Sequence, residues 1–225
     1  MIRAASLIAL SLFVGTALGA ADADTPPWYD VEVIVFKNNT PPAADGEMWP
    51  IDPGMPALEQ ATELVPLPQS SPLPGSPQPF QQLGDANQTL ASALTRLTAS
   101  RDYHPLLHLA WRQPVTAQAD APAVHIYSGE DSDGTEGSAP TDAPVRELDG
   151  TVRVSRNRFL HIDMDLLFQE SGAAGPDASG RTFRLRQSRR VNSGEVHYFD
   201  HPAFGALIRL TPYEAPGQKK TGTAP

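Results

Sequence analysis

The sequence predicts an α+β domain with a mostly antiparallel or mixed sheet of about seven strands, one main helix and long irregular loops. Three observations carry this. Apolar and polar residues alternate with a period of two in segment after segment, only one stretch has apolar residues at helical spacing, and prolines and acidic residues gather in two stretches with no period.

The chain opens with Met1-Ile2-Arg3, an apolar run from Ala4 to Leu18 and small residues at Ala17 to Ala21. One positive charge, a short apolar segment and a small-residue site read as a secretory signal over 1–21. The run falls short of the ~20 apolar residues a bilayer requires, and Gly15 and Gly19 interrupt it, so stable membrane insertion is not expected. The chain has no cysteine, hence no thiol to acylate and no disulfide. Cleavage would leave 16 basic against 26 acidic side chains, an unfavourable balance for nucleic acid. A periplasmic location follows, and ATP-dependent chemistry does not belong there.

A single domain over 27–213 accounts for the rest. Trp28 to Phe36 (WYDVEVIVF) alternates, with Tyr29, Val31, Val33 and Val35 on one face, and is rich in β-branched residues, which predicts a strand. Residues 40–80 hold 11 of the 23 prolines, too many missing N–H donors for a ladder or helix, so this is an extended loop whose Leu58, Leu64, Val65 and Phe80 touch the core. Leu90, Leu94 and Leu97 form one stripe on a helix over 87–100, with Asp85 as its cap. Leu107, Leu109 and Trp111 then alternate in a buried strand, with Trp111 in the core.

Ala123 to Tyr127 is a short strand. The loop 128–147 is acidic and unpatterned; Glu130 to Gly134 supplies half of a calcium loop and lacks its distal Glu. Gly150 to Ser155 and Arg158 to Phe168 read as a hairpin. Its second arm places Leu160, Ile162, Met164, Leu166 and Phe168 on one face and Phe159, His161, Asp163 and Asp165 on the other. A second loop covers 172–180. Thr182 to Arg190, Glu195 to Phe199 and Gly205 to Thr211 complete the strands, and 214–225 is a polar tail.

Charge is unevenly distributed: residues 151–210 hold nine arginines and six acids, whereas residues 40–150 hold four arginines and 15 acids. The candidate ligand-binding residues are Arg153, Arg158, Arg184, Arg186, Arg189 and Arg190, with Tyr198 and His201 as a saccharide-lining pair; Arg156 and Arg209 lie on neighbouring strands. Guanidinium forks grip carboxylates bidentately, which suits the peptide stems of a cell wall. The alternative is cross-strand pairing with Asp163, Asp165, Glu195 and Asp200 on a solvated face. Tyr198 to Pro202 has a structural reading as well, a tight turn before the last strand.

Enzymatic readings find little support. Asp163 and Asp165 share a face roughly 7 Å apart, a separation compatible with inverting glycoside hydrolysis, but two carboxylates on one strand rarely flank a scissile bond. No GxSxG, SxxK or HExxH motif is present. His161 and Asp163 with His197 or His201 give no regular zinc spacing. No catalytic residue, metal or cofactor is expected.

Three stretches resemble the CsiV family of envelope proteins: Trp28 to Phe36, Arg158-Phe159-Leu160-His161-Ile162, and Tyr198-Phe199-Asp200-His201-Pro202 followed by Phe204-Gly205. Their order carries more than any one of them. The resemblance implies a non-enzymatic periplasmic protein that binds peptidoglycan and supports cell-wall synthesis with an outer-membrane lipoprotein that activates a bifunctional penicillin-binding protein. No binding residue is carried over from it. A protein–protein adaptor without wall affinity, or a glycan hydrolase, are the alternatives.

Overall fold

A computed structural model describes residues 26–40, 50, 52–67, 77–128, 146–170 and 181–214. The signal segment, the half calcium loop Glu130 to Gly134, the loop 172–180 and the tail from 215 lie outside the described residues. Among the described residues nine strands form two antiparallel sheets, one of five and one of four.

The first sheet has the order β2-β3-β1-β9-β8. Its strands are β1 (Trp28–Asn38), β2 (Gln81–Gln82), β3 (Tyr103–Pro114), β8 (Val196–Asp200) and β9 (Phe204–Tyr213). The second is β4-β5-β6-β7, built from β4 (Ala123–Ser128), β5 (Leu148–Arg156), β6 (Leu160–Glu170) and β7 (Arg181–Val191). Eight of the nine correspond to segments that alternate in the sequence; the ninth, β2, is two residues long and has no alternation to reveal it.

Alternation dictates the packing. Val31, Val33 and Val35 of β1, Trp111 of β3 and Ala206, Ile208 and Leu210 of β9 face one way. They meet Val152 and Val154 of β5, Leu160, Ile162, Met164, Leu166 and Phe168 of β6, and Phe183 and Leu185 of β7. Each strand thus buries every second side chain between two sheets, the arrangement of a β-sandwich. Trp111 is fully buried and its indole N–H donates to Gln113 Oε1 at 2.6 Å, so its one polar atom is satisfied. Leu64 and Phe80 from the Pro-rich stretch pack against this core. The stretch is further held by His125, whose ring nitrogens contact Glu63 Oε1 at 2.5 Å and Asp149 Oδ1 at 2.7 Å.

The helix α1 (Ala91–Ala99) is shorter than the leucine spacing suggests and covers the outer face of the first sheet. Leu90, Ala93, Leu94 and Leu97 sit on Ile34, Phe36 and Leu207. Asp85 belongs to a separate 3₁₀ turn, Asp85–Asn87, and does not cap the helix. The helix start is held from β1 instead: Glu32 accepts hydrogen bonds from Thr89 N (2.6 Å), Thr89 Oγ1 (2.7 Å) and Leu90 N (2.9 Å), with His108 Nε2 at 2.9 Å. Burial pushes the Glu32 carboxyl up, but these four donors together outweigh it and hold it below its ordinary value of 4.5.

With one sheet face covered by α1 and both inner faces in the core, the outer face of the β4-β5-β6-β7 sheet is left to carry polar chemistry.

Candidate functional site

On the outer face of the four-stranded sheet, the register assembles rows of polar side chains. Arg153 of β5 lies directly opposite Asp163 of β6, and Asp163 opposite Ser188 of β7. In the next row Thr151, Asp165 and Arg186 are in line. The parity that sends Ile162, Met164 and Leu166 inward sends Asp163 and Asp165 outward. A groove of about 560 Å³ runs over these rows, bounded by Ala57 and Gln118 from neighbouring segments.

Gly150 lets β5 and β6 approach at this point. A Cβ there would collide with the carbonyl oxygen of Asp165 and come within 2.7 Å of Leu166 Cα, both backbone atoms that cannot step aside. The groove floor is therefore tied to a residue without a side chain.

Arg184 stands beside the groove and holds one of its lining carboxylates, Asp165. Its Nε and Nη2 donate to the two oxygens of Asp165 at 2.7 and 2.8 Å, while Nη1 and Nη2 donate to the carbonyls of Pro53 (2.9 Å) and Met55 (3.1 Å). The hydrogen bonds to Asp165 push the guanidinium up further from its ordinary value, against the opposing effect of burial. Gly54 fits beneath because its φ of 72° is a left-handed conformation and a Cβ would sit 3.1 Å from Arg184 Nη1. Arg184 thus clamps the segment 53–55 to the sheet and is fully engaged.

Two guanidiniums remain uncommitted. Arg186 lies 3.9 Å from Asp165 Oδ2 with its side chain 77% exposed, a contact that weak geometry and solvent reduce to little. Arg153 has a buried Nε without a hydrogen-bond partner and forms no ion pair among the described residues. Asp163, directly across from it, accepts instead from Ser188 Oγ at 2.5 Å.

The other sequence-nominated residues lie elsewhere. Arg190 stacks 3.4 Å over the Phe159 ring, with Arg158 at 5.3 Å, at the β5–β6 turn. Arg189 has the inward parity of β7 and reaches across to β8, donating to the Tyr198 carbonyl at 2.8 Å. Tyr198 is 41% exposed on the outer face of the other sheet, beside Phe36 with ring centroids 6.2 Å apart and over Gly205. Burial first, and donation to Asp200 Oδ1 at 2.6 Å second, push its phenol well above the ordinary value. His201 is 7% exposed and packs against Phe183 and Phe204, so it does not share a surface with Tyr198. The structure brings Arg153 and Arg186 to one groove, sets Arg184 beside it on Asp165, and leaves the remaining five candidates elsewhere.

Thr151, Ser188 and Gln118 also line the groove. Ser188 shares parity with Arg184 and Arg186, a signal present but unused; Gln118 arrives from a loop that no period marks. Of the two carboxylates Asp163 and Asp165, the second is held at both oxygens by Arg184. Among the described residues no group of three or more His, Cys, Asp or Glu is placed to hold a metal ion.

The chain matches the model of the CsiV family, described as peptidoglycan-binding protein, over residues 4–213. It belongs to the CsiV family. No curated protein and no solved structure matches it. The family's description is that of binding proteins and points to the cell envelope, and no helix among the described residues is long and apolar enough to cross a membrane.

Proposed function

We propose that this CsiV-family protein is a non-catalytic periplasmic protein that binds peptidoglycan through the groove over β5, β6 and β7. The observation that carries this reading is the pair of guanidiniums lining one groove: Arg153 forms no ion pair among the described residues, and exposed Arg186 meets Asp165 only at 3.9 Å. Peptide stems present carboxylates, and an arginine fork without an internal partner gains charge-assisted hydrogen bonds from them. Arg153 forms no ion pair among the described residues, so a ligand carboxylate at its guanidinium displaces none.

In this reading the protein supports wall synthesis together with an outer-membrane lipoprotein that activates a penicillin-binding protein. A separate surface suits that partner: Tyr103, Val196 and Tyr198 are exposed apolar side chains on the outer face of the first sheet. Sedimentation of the purified protein with isolated sacculi at low salt tests wall binding, and recovery in the supernatant refutes it. Crosslinking in a wall-free extract tests the adaptor alternative. If the protein acts only as an adaptor, it gives a defined partner band there and none of it sediments with sacculi.

A further inference from the structure

The arrangement around Asp163 specifies more than an anion site. Arg153 and Asp163 are directly opposite in an antiparallel pair, where Cβ atoms stand about 5 Å apart and opposite charges ordinarily close into an ion pair. They do not close: Arg153 has no ionic partner among the described residues, and Asp163 takes a hydroxyl donor from Ser188 on its far side. Its Oδ2 receives no hydrogen bond among the described residues. Arg186 stands one row further along, about 12 Å from Arg153 between Cα atoms as strand spacing and rise dictate. The groove therefore presents a positive, a negative and a second positive group in sequence, each with unused hydrogen-bonding capacity.

We infer that the groove recognises a free amino acid terminus, an ammonium and a carboxylate on the same carbon, in an uncrosslinked peptide stem rather than the neutral glycan. This deepens the wall-binding reading and rests on it. The ligand ammonium donates to Asp163 Oδ2 and the ligand carboxylate accepts from Arg153, so that one zwitterion fills the gap the two side chains leave between them. Arg186 takes a further carboxylate of the same stem. A neutral sugar in that position leaves both a guanidinium and a carboxylate desolvated without a counter-charge, which is unfavourable. A simple dicarboxylate satisfies the arginines but meets Asp163 with like charge.

The test uses three small probes in which like charged groups are spaced alike. 2,6-Diaminopimelate carries an ammonium and a carboxylate at each end, pimelate has only the carboxylates and 1,5-diaminopentane only the ammoniums. Each is titrated into the full-length protein with amide chemical shifts as the readout, and each is used to compete with sacculi in sedimentation. Diaminopimelate should shift the amides of β5, β6 and β7 and release the protein at concentrations at least tenfold lower than either of the others. Asp163→Asn, which keeps an acceptor for Ser188, should lose that preference while its melting temperature stays within a few degrees. Equal effects of pimelate and diaminopimelate, or an unchanged preference in Asp163→Asn, overturn the inference. Sedimentation with sacculi that no probe reverses removes the zwitterion reading and leaves wall binding standing, whereas absence of sedimentation removes wall binding itself.

Discussion

Replacing Glu32 by alanine should loosen the start of α1 from the sheet beneath it. The Glu32 side chain is 5% exposed and its two oxygens meet four donors. Alanine removes the cap of α1 and strands the Leu90 N–H, whose residue is 3% exposed. Loss of a helix cap costs about 1 kcal/mol, and a buried donor left unpaired costs about 1–3 kcal/mol more, giving roughly 3 kcal/mol in all. In a domain of this size that corresponds to a fall in melting temperature of about 10 °C. Thermal unfolding followed by circular dichroism measures it, and a fall of less than about 3 °C would refute the role given to these bonds. The same carboxylate has a pH signature. Its folded-state value lies below 4.5, so the unfolded chain binds the proton more readily and the stabilisation is present in full above 4.5. It is lost as pH falls through the lower folded-state value. Glu32→Gln cannot titrate, so the stability gap between it and the wild type should narrow on acidification over that window; a constant gap contradicts the assignment.

Other substitutions separate structure from binding. Arg184→Gln breaks the bidentate pair with Asp165 and frees the carbonyls of Pro53 and Met55; limited proteolysis should then cut within 52–67 where the wild type resists. Gly150→Ala forces β5 away from β6 and should destabilise by about 2 kcal/mol or more in urea unfolding, as overpacking against backbone does. Tyr198→Phe removes only an exposed hydroxyl bond to Asp200 and should leave stability within about 0.5 kcal/mol, a shift of under 2 °C.

The elements of this fold are legible in the sequence where a period is unbroken. In β6 the alternation from Leu160 to Phe168 assigns the inward side chains as the structure has them, while Leu167, of outward parity, is buried too. Trp111, in step with Leu107 and Leu109, is in the core, and Leu64 and Phe80 do touch it from the Pro-rich stretch. What the period cannot convey is which strands meet. The helix cap comes from Glu32, 57 residues before Thr89, and no local rule could prefer it to the nearby Asp85. Arg184 and Arg186 share parity and exposure in the sequence, yet one is locked by Asp165 and the returning 53–55 segment while the other is open. Cross-strand pairing describes Arg184 on Asp165, while ligand binding at Arg186 is the proposal made above. His201 sits in the turn its motif suggests, between β8 and β9, but the direction of its ring depends on Phe183 and Phe204 from distant strands.

Wall binding turns on Arg153, which has no ion pair among the described residues, and Arg186, whose one acidic contact is weak. Sedimentation of Arg153→Ala with Arg186→Ala alongside sacculi, at a protein concentration that half-saturates the wild type, measures this most directly. Retention should fall at least tenfold while the melting temperature stays within about 3 °C, since neither side chain holds the fold together. Undiminished retention by a folded double variant would contradict the groove as the wall contact.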